Sequence, residues 1–472
     1  VYHARPGIPN PHVTEQRTHV RILILQFAPD TRGRPIPRYE PNLAVLLTLL
    51  KQRGHDLSLL GLARHDVSAV KAALAKSLPQ LIYADVSAVC VNAARRTFQY
   101  IQEHEFLPIV VGGEYATADP AGALSLPGVQ AAAIGEPDAS LVTHFERLKD
   151  PAVGQIVQGI WLRDEQGLAR PELPSLIEDL DSLPFGEREL FGYADYVLGT
   201  GEIEIAVGRG CPERCSYCLN EPTALIYSDR GIWDRRRSPE NVISEIELLR
   251  EQYPEARLLR FLDHHFALDV EWLEEFLAVY KDRGRLPFRC HLRANGNVED
   301  IVLPLADAGC KLADIEIISA SDFIRNEIFA MDLDELQIRA TFEALRTAGV
   351  KTRAIVYLGA PYDSEASLED ARALLRRIRP DTSSIRPYYP WPGTAAAATC
   401  SENGWTHSRG EEQYQTDKCG VDMPACRPAD AERFIKRLRK EFSTRLSEPW
   451  WRRWSQASRN SLGQFFQKRQ DF

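Results

Sequence analysis

The chain has 472 residues, 44% of them hydrophobic, with 57 Lys and Arg against 66 Asp and Glu and a formal charge of -9. That length and apolar content are enough for two or three cores, and interspersed charge with an acidic excess argues against a nucleic-acid partner. No apolar run reaches membrane-spanning length, the opening VYHARPGIPN lacks the order of a signal peptide, and nine scattered cysteines form no disulfide framework. The expectation is a reducing, cytoplasmic setting.

Residues 1–19 are polar, carry three prolines and read as a tail. From Arg21 the run RILILQFAP predicts a strand, and PNLAVLLTLLKQRGHDLSLLGL an amphipathic helix closed by Gly54 and then a second strand. LIYADVSAVCV, LPIVVGGEYAT and VQAAAIGEPDASLVTHFERL continue the alternation of strands with helices of about 12 residues. Residues 20–150 therefore predict an α/β, Rossmann-like parallel sheet covered on both faces, with ligands beyond the carboxyl ends of its strands. Residues 151–198, punctuated by proline, read as a connector.

Six further strand and helix units fill residues 199–395, from EIEIAVGRG to TSSIRPYYPWPGT, and predict a partial (β/α)6 TIM-type barrel. Functional side chains of such barrels project from the carboxyl ends of strands. That rule selects Asp263, His264 and His265, then Arg293 and Asn295, then Glu316 and Ser319, and finally Tyr357 and Gly359. Residues 396–472 are irregular and then helical, an α-rich cap. It holds Cys400, Cys419 and Cys426 with no C-x2-C pair, which read either as separate thiols or as a second thiolate site. From Arg427 onward twelve Lys and Arg stand against five Asp and Glu, mixed with the aromatics of PWWRRWSQ. Such a segment could face an acidic substrate or a membrane surface, but the reading favoured is a helical cap with its charges in water.

The most specific stretch is VGRGCPERCSYCLN at residues 207–220, where Cys211, Cys215 and Cys218 are spaced C-x3-C-x2-C after an apolar strand. Three thiolates on one short loop can hold three irons of a [4Fe-4S] cluster and leave the fourth open. Zinc normally takes a fourth Cys or His, and none lies close by in sequence. Buried core cysteines do not suit a loop so rich in Gly, Pro and charge.

This loop resembles the C-x3-C-x-aromatic-C signature of the radical S-adenosylmethionine (SAM) superfamily, with Tyr217 at the aromatic position. The resemblance implies a cluster whose open iron chelates SAM, and one-electron cleavage of a carbon–sulfur bond, usually giving a 5'-deoxyadenosyl radical. It also implies a small-molecule substrate and a reductant such as flavodoxin or ferredoxin. FLDHHF resembles the family's F-x-D-x-x-F at Asp263, and HLRAN a strand whose arginine, here Arg293, approaches the SAM carboxylate. SASDFIRNEIF resembles the segment after the fourth strand, where Arg325 would help seat SAM beside Glu316 and Ser319.

Residues 20–150 resemble the cobalamin-binding domain that precedes many radical SAM barrels. The features are RGHDLSLL, the GGEYAT turn with Gly112, Gly113 and Thr117, and Gly135 with Glu136 where that family has GEGE. Pro137 and Asp138 depart from that pattern, and no D-x-H-x-x-G supplies a histidine for cobalt. A Rossmann-like domain without cofactor is the alternative. The leading function is cobalamin-dependent methylation of an unactivated carbon or phosphorus centre. The alternatives are cobalamin-independent radical SAM chemistry, including aminocarboxypropyl transfer to a soft acceptor such as arsenic or sulfur, and a non-catalytic iron–sulfur sensor.

Overall fold

The computed structural model describes residues 19–29, 37–147, 156–164, 167–284, 286–294, 298–407, 414 and 416–442. Residues 1–18 of the expected tail, Asn295 and the PWWRRWSQ segment lie outside them. None of the described helices is long and apolar enough to cross a membrane.

Two sheets organise the chain. The first contains β1 (Arg21–Phe27), β2 (Asp56–Leu62), β3 (Leu81–Val86), β4 (Ile109–Gly112) and β5 (Val129–Ala133) in the order β2-β1-β3-β4-β5, all parallel. Six consecutive residues of β1 are buried because the sheet is covered on both faces. Ile22 and Ile24 pack with Leu43, Leu47 and Leu50 of the helix Pro41–Gln52, and Leu23, Leu25 and Phe27 pack with Phe98 and Ile101 of the helix Val91–His104. The stretch read as a connector adds two antiparallel edge strands, β6 (Ile160–Asp164) and β7 (Gly167–Ala169), so part of it belongs to this sheet.

The second sheet has six parallel strands in chain order: β8 (Glu202–Ile205), β11 (Leu258–Phe261), β12 (Phe288–Leu292), β13 (Cys310–Ile318), β14 (Lys351–Leu358) and β15 (Thr382–Pro387). β8 and β15 are its two edges, so the barrel is partial, as the six units predict. A short antiparallel pair, β9 (Gly208–Arg209) and β10 (Arg235–Arg236), stands beside it. The intervening helices start where the sequence supplies caps. Ser238 and Asp269 accept the Asn241 and Trp272 amides, while Asp334 with Gln337 and Ser364 with Ser367 form capping boxes. The helix Pro428–Phe442 buries Phe434, Ile435 and Leu438 and lies against the edge strand β15, with Arg439 Nε donating to Ile385 O at 2.7 Å. One apolar core runs from the Ile22 face of the first sheet into the barrel.

Candidate active site

In the first sheet the strand order reverses between β1 and β3, the topological switch point where such sheets leave a crevice. That crevice opens into a cavity of about 1560 Å³ shared with the barrel mouth. Phe27, Asp85, Gly113, Thr117, Gly135 and Glu136 line one side; Cys211, Cys215, Cys218, Asp263, Arg293, Glu316 and Tyr357 line the other.

The cysteine loop follows β8 and is fixed by hydrogen bonds of its own. Asp263 at the end of β11 accepts from the Val207 and Gly208 amides at 2.8 and 2.9 Å. Ser216 is held on both sides, its amide donating to Phe329 O at 3.1 Å and its carbonyl accepting from Ala396 N at 3.0 Å. Asn220 Nδ2 donates to Cys211 O at 2.8 Å, and Trp233 Nε1 donates to Asn220 Oδ1 at 2.8 Å. The Tyr217 ring packs edge-on against Phe329, 5.0 Å between centroids. Burial pushes the Cys211 thiol up to about 12 and Cys218 to about 11. Burial raises Cys215 as well, but Arg293, 3.5 Å from its Sγ, opposes the rise. Loading such a loop with metal therefore releases protons.

The other barrel positions divide. Arg293 on the stretch after β12 pairs with Glu213 of the cysteine loop at 2.5 Å and donates to Met331 O, so it braces the loop while facing the cavity. Glu316 accepts from or shares a proton with His264 Nδ1 at 2.9 Å. Burial alone would raise its carboxyl, but His264 and His291 outweigh that and hold it down at about 2, and Glu316 in turn raises His264 to about 9. Burial and then Arg293 lower His265 to about 4. Ser319 and Arg325 stand behind the wall rather than on it. Arg325 is fully buried, and its guanidinium binds the carbonyls of Ser319 and Leu333 and the Asp322 carboxylate, closing the turn after β13. Gly359 (φ +79) packs against Cys419 rather than lining the cavity.

On the first sheet, Gly113 (φ +84) turns the chain where a Cβ would meet Asp85 Oδ1 at 2.2 Å, and Gly135 (φ +72) does so where one would meet Tyr227 Oη at 2.2 Å. Gly112 lies just behind, against the Tyr83 hydroxyl. Thr117 Oγ1 accepts from the Gly135 amide at 3.0 Å, which joins the two turns. Pro137 and Asp138, the departures from the family pattern, have a local reason. Asp138 pairs with Arg209 of β9 at 2.6 Å, and Glu136 pairs with Arg209 at 3.2 Å and with Arg235 of β10. The loop is thus an ionic clamp between the two sheets.

Residues 205–375 match the family model of the radical SAM superfamily. That segment, about a third of the chain, is a radical SAM domain. The chain is a radical SAM enzyme, a class that works with a [4Fe-4S] cluster and SAM. It is 21% identical over 408 residues to a cytidylyl-2-hydroxyethylphosphonate methyltransferase of Streptomyces wedmorensis, covering 74% of each chain. It is 27% identical over 271 residues to an anaerobic magnesium-protoporphyrin IX monomethyl ester cyclase of Synechocystis sp., covering 54% of this chain and 52% of that one. Among solved structures, the radical SAM methyltransferase TsrM of Kitasatospora setae, with cobalamin and a [4Fe-4S] cluster bound, superposes with a TM-score of 0.63 at 18% identity over 81% of this chain and 75% of that one. The cobalamin-dependent radical enzyme OxsB, with aqua-cobalamin and SAM bound, gives 0.63 at 14% identity over 90% of this chain and 62% of that one. At these identities the two superpositions show a shared fold.

In this radical SAM enzyme the second trio of cysteines sits away from the cavity. Cys400, Cys419 and Cys426 are buried among apolar side chains, none lines the cavity, and burial pushes Cys400 and Cys426 up to about 12 and Cys419 higher still. Glu213, Asn220, Arg209 and Arg235 escaped the sequence reading. Asn220, two residues past Cys218, was within reach of it as the next polar group of the motif. The arginines gave no signal, because their partners lie about 70 to 100 residues away in the chain.

Proposed function

We propose that the chain is a cobalamin-dependent radical SAM methyltransferase acting on an unactivated carbon or phosphorus centre of a small molecule. The observation that carries the reading is the shared cavity, which joins the cysteine loop to the carboxyl ends of the first sheet. Its volume of about 1560 Å³ exceeds the range of about 300–1,000 Å³ that suits one drug-sized ligand. The names of the relatives, a phosphonate methyltransferase among them, support the same reaction class.

Cys211, Cys215 and Cys218 would hold the cluster; three soft donors on one hydrogen-bonded loop facing the cavity fit it. Gly113, Thr117, Gly135 and Glu136 would form the cobalamin side, a wall of close backbone turns with no room for a Cβ at its two glycines. When bound, the cluster supplies the electron that cleaves SAM, and cobalamin carries the methyl group. The residues of the chain orient and enclose. Asp263 and Arg293 fix the cysteine loop from two strand ends, and the Glu136 and Asp138 clamp keeps the two walls at one spacing. A reductant such as flavodoxin or ferredoxin would deliver the electron from outside.

Mass spectrometry of SAM-derived products tests the reading, using anaerobically reconstituted protein with a strong reductant, with and without cobalamin. The expected result is 5'-deoxyadenosine together with S-adenosylhomocysteine, both dependent on cobalamin. Formation of 5'-deoxyadenosine or methylthioadenosine regardless of cobalamin would make the first sheet a retained scaffold.

A further inference from the structure

We propose that His264, His291 and Glu316 form a site for one divalent transition-metal ion at the barrel mouth, separate from the cysteine loop. His264 lies in the turn after β11, His291 in β12 and Glu316 in β13, and their ligand atoms all lie within 4.8 Å of one another. His264 Nδ1 is 2.9 Å and His291 Nδ1 4.0 Å from Glu316 Oε1. Ligands around one tetrahedral ion, about 2.0–2.1 Å from it, lie roughly 3.3 Å apart. Small side-chain rotations would close the set.

A second observation is independent of that proximity. Among the described residues His291 Nδ1 is buried and has no hydrogen-bond partner, in a side chain only 9% exposed. Its other ring nitrogen, Nε2, lies 3.5 Å from Asp314 Oδ2, and Asp314 is itself buried and fixed by Arg289 at 3.0 Å and Arg353 at 2.7 Å. A metal-binding histidine ordinarily turns its second nitrogen to such an outer carboxylate, which sets the tautomer and leaves the first lone pair bare. With Nε2–H turned to Asp314, Nδ1 would present its lone pair toward Glu316 Oε1, 4.0 Å away, and a cation between the two acceptors would satisfy both. Two imidazoles and one carboxylate suit zinc or ferrous iron better than magnesium or calcium.

The backbone also points the carboxylate to this place. The register of β13 with β14 shifts between Glu316 and Ile318, and Ile318 sits at φ +62, an unusual conformation for a β-branched residue. Bulges of this kind re-aim side chains beside active sites. Because His264 and Glu316 line the cavity, the open positions of the ion would face it. None of this depends on whether the first sheet holds cobalamin.

The test is metal binding by the reconstituted, desalted holoprotein, with zinc as the probe. Equilibrium dialysis at low micromolar zinc, followed by elemental analysis, is expected to give one zinc per chain beyond the cluster iron. Glu316→Gln and His291→Gln are expected to weaken zinc binding about tenfold or more, with cluster iron and cluster absorbance unchanged. His264→Ala provides a variant that cannot fail through the core, since that side chain is 69% exposed. Zinc-edge X-ray absorption should show nitrogen and oxygen ligands. Absence of stoichiometric zinc, full retention of zinc by the variants, or sulfur ligands at the zinc edge would overturn the proposal.

Discussion

Asp263 shows how a residue expected to meet a cofactor can act one step earlier. Both of its oxygens take amides of the strand that leads into the cysteine loop, so Asp263→Asn keeps one acceptor and sets an NH2 group against the other amide. A loss of roughly 1–3 kcal/mol is expected, read as a lower Tm together with less iron retained through gel filtration. Asp85 carries a pH dependence. Burial, then Glu40 and Glu114, raise its carboxyl from 3.8 to about 8, so between those values the folded chain holds a proton that the unfolded chain has lost. Its contribution to stability therefore falls as pH rises from 3.8 to 8 and levels off above. In cofactor-free protein the Tm advantage of Asp85→Asn over wild type should grow across that window; a constant difference would show that Asp85 ionises normally.

At the scale of elements, the loop after β5 and the β9–β10 pair are joined by charges that are largely buried. Arg209→Ala would leave Asp138 and Glu136 without their shared partner. Breaking one side of a buried pair costs about 3–5 kcal/mol, so the variant should melt lower and be cleaved faster in limited proteolysis near residues 135–138. An unchanged digestion pattern would mean that apolar packing alone docks the two sheets. The same elements explain why the glycine-rich turns were easy to locate and hard to interpret. GGEYAT and IGEP each mark a positive-φ turn at a strand end, a local property. Their pairing through Thr117 and Gly135, and the salt bridges that account for Pro137 and Asp138 departing from the family pattern, are contacts between distant segments.

For the molecule as a whole, the continuous core is the governing feature. Ile22, Leu43 and Leu141 of the first sheet's layers share it with Ile203, Phe261 and Ile315 of the barrel. Two units that share one continuous apolar core should unfold together, so calorimetry of the cofactor-free chain is expected to show one endotherm. Two separated endotherms would mean that the sheets are independent units held together by their cofactors.

The sequence by itself determined the two parallel α/β units, their order, and the cysteine loop between strand and helix. Each of these is written in short-range periodicity or in spacing within a few residues. The parallel sheet and the six-unit barrel followed from the periodicity, and the resemblance to the radical SAM superfamily from the cysteine spacing. Only the tertiary structure decided which strand-end side chains converge. Glu316 and Arg325 both looked like groups at the mouth, yet a bulge turns the first into the cavity while the second is buried and closes a turn behind the wall. His291 lies inside a strand that reads as ordinary core, and it meets His264 and Glu316 only because three neighbouring strands end side by side. Along a strand, a shift of one residue turns every side chain to the opposite face, and that shift is set by pairing with strands far away in the chain.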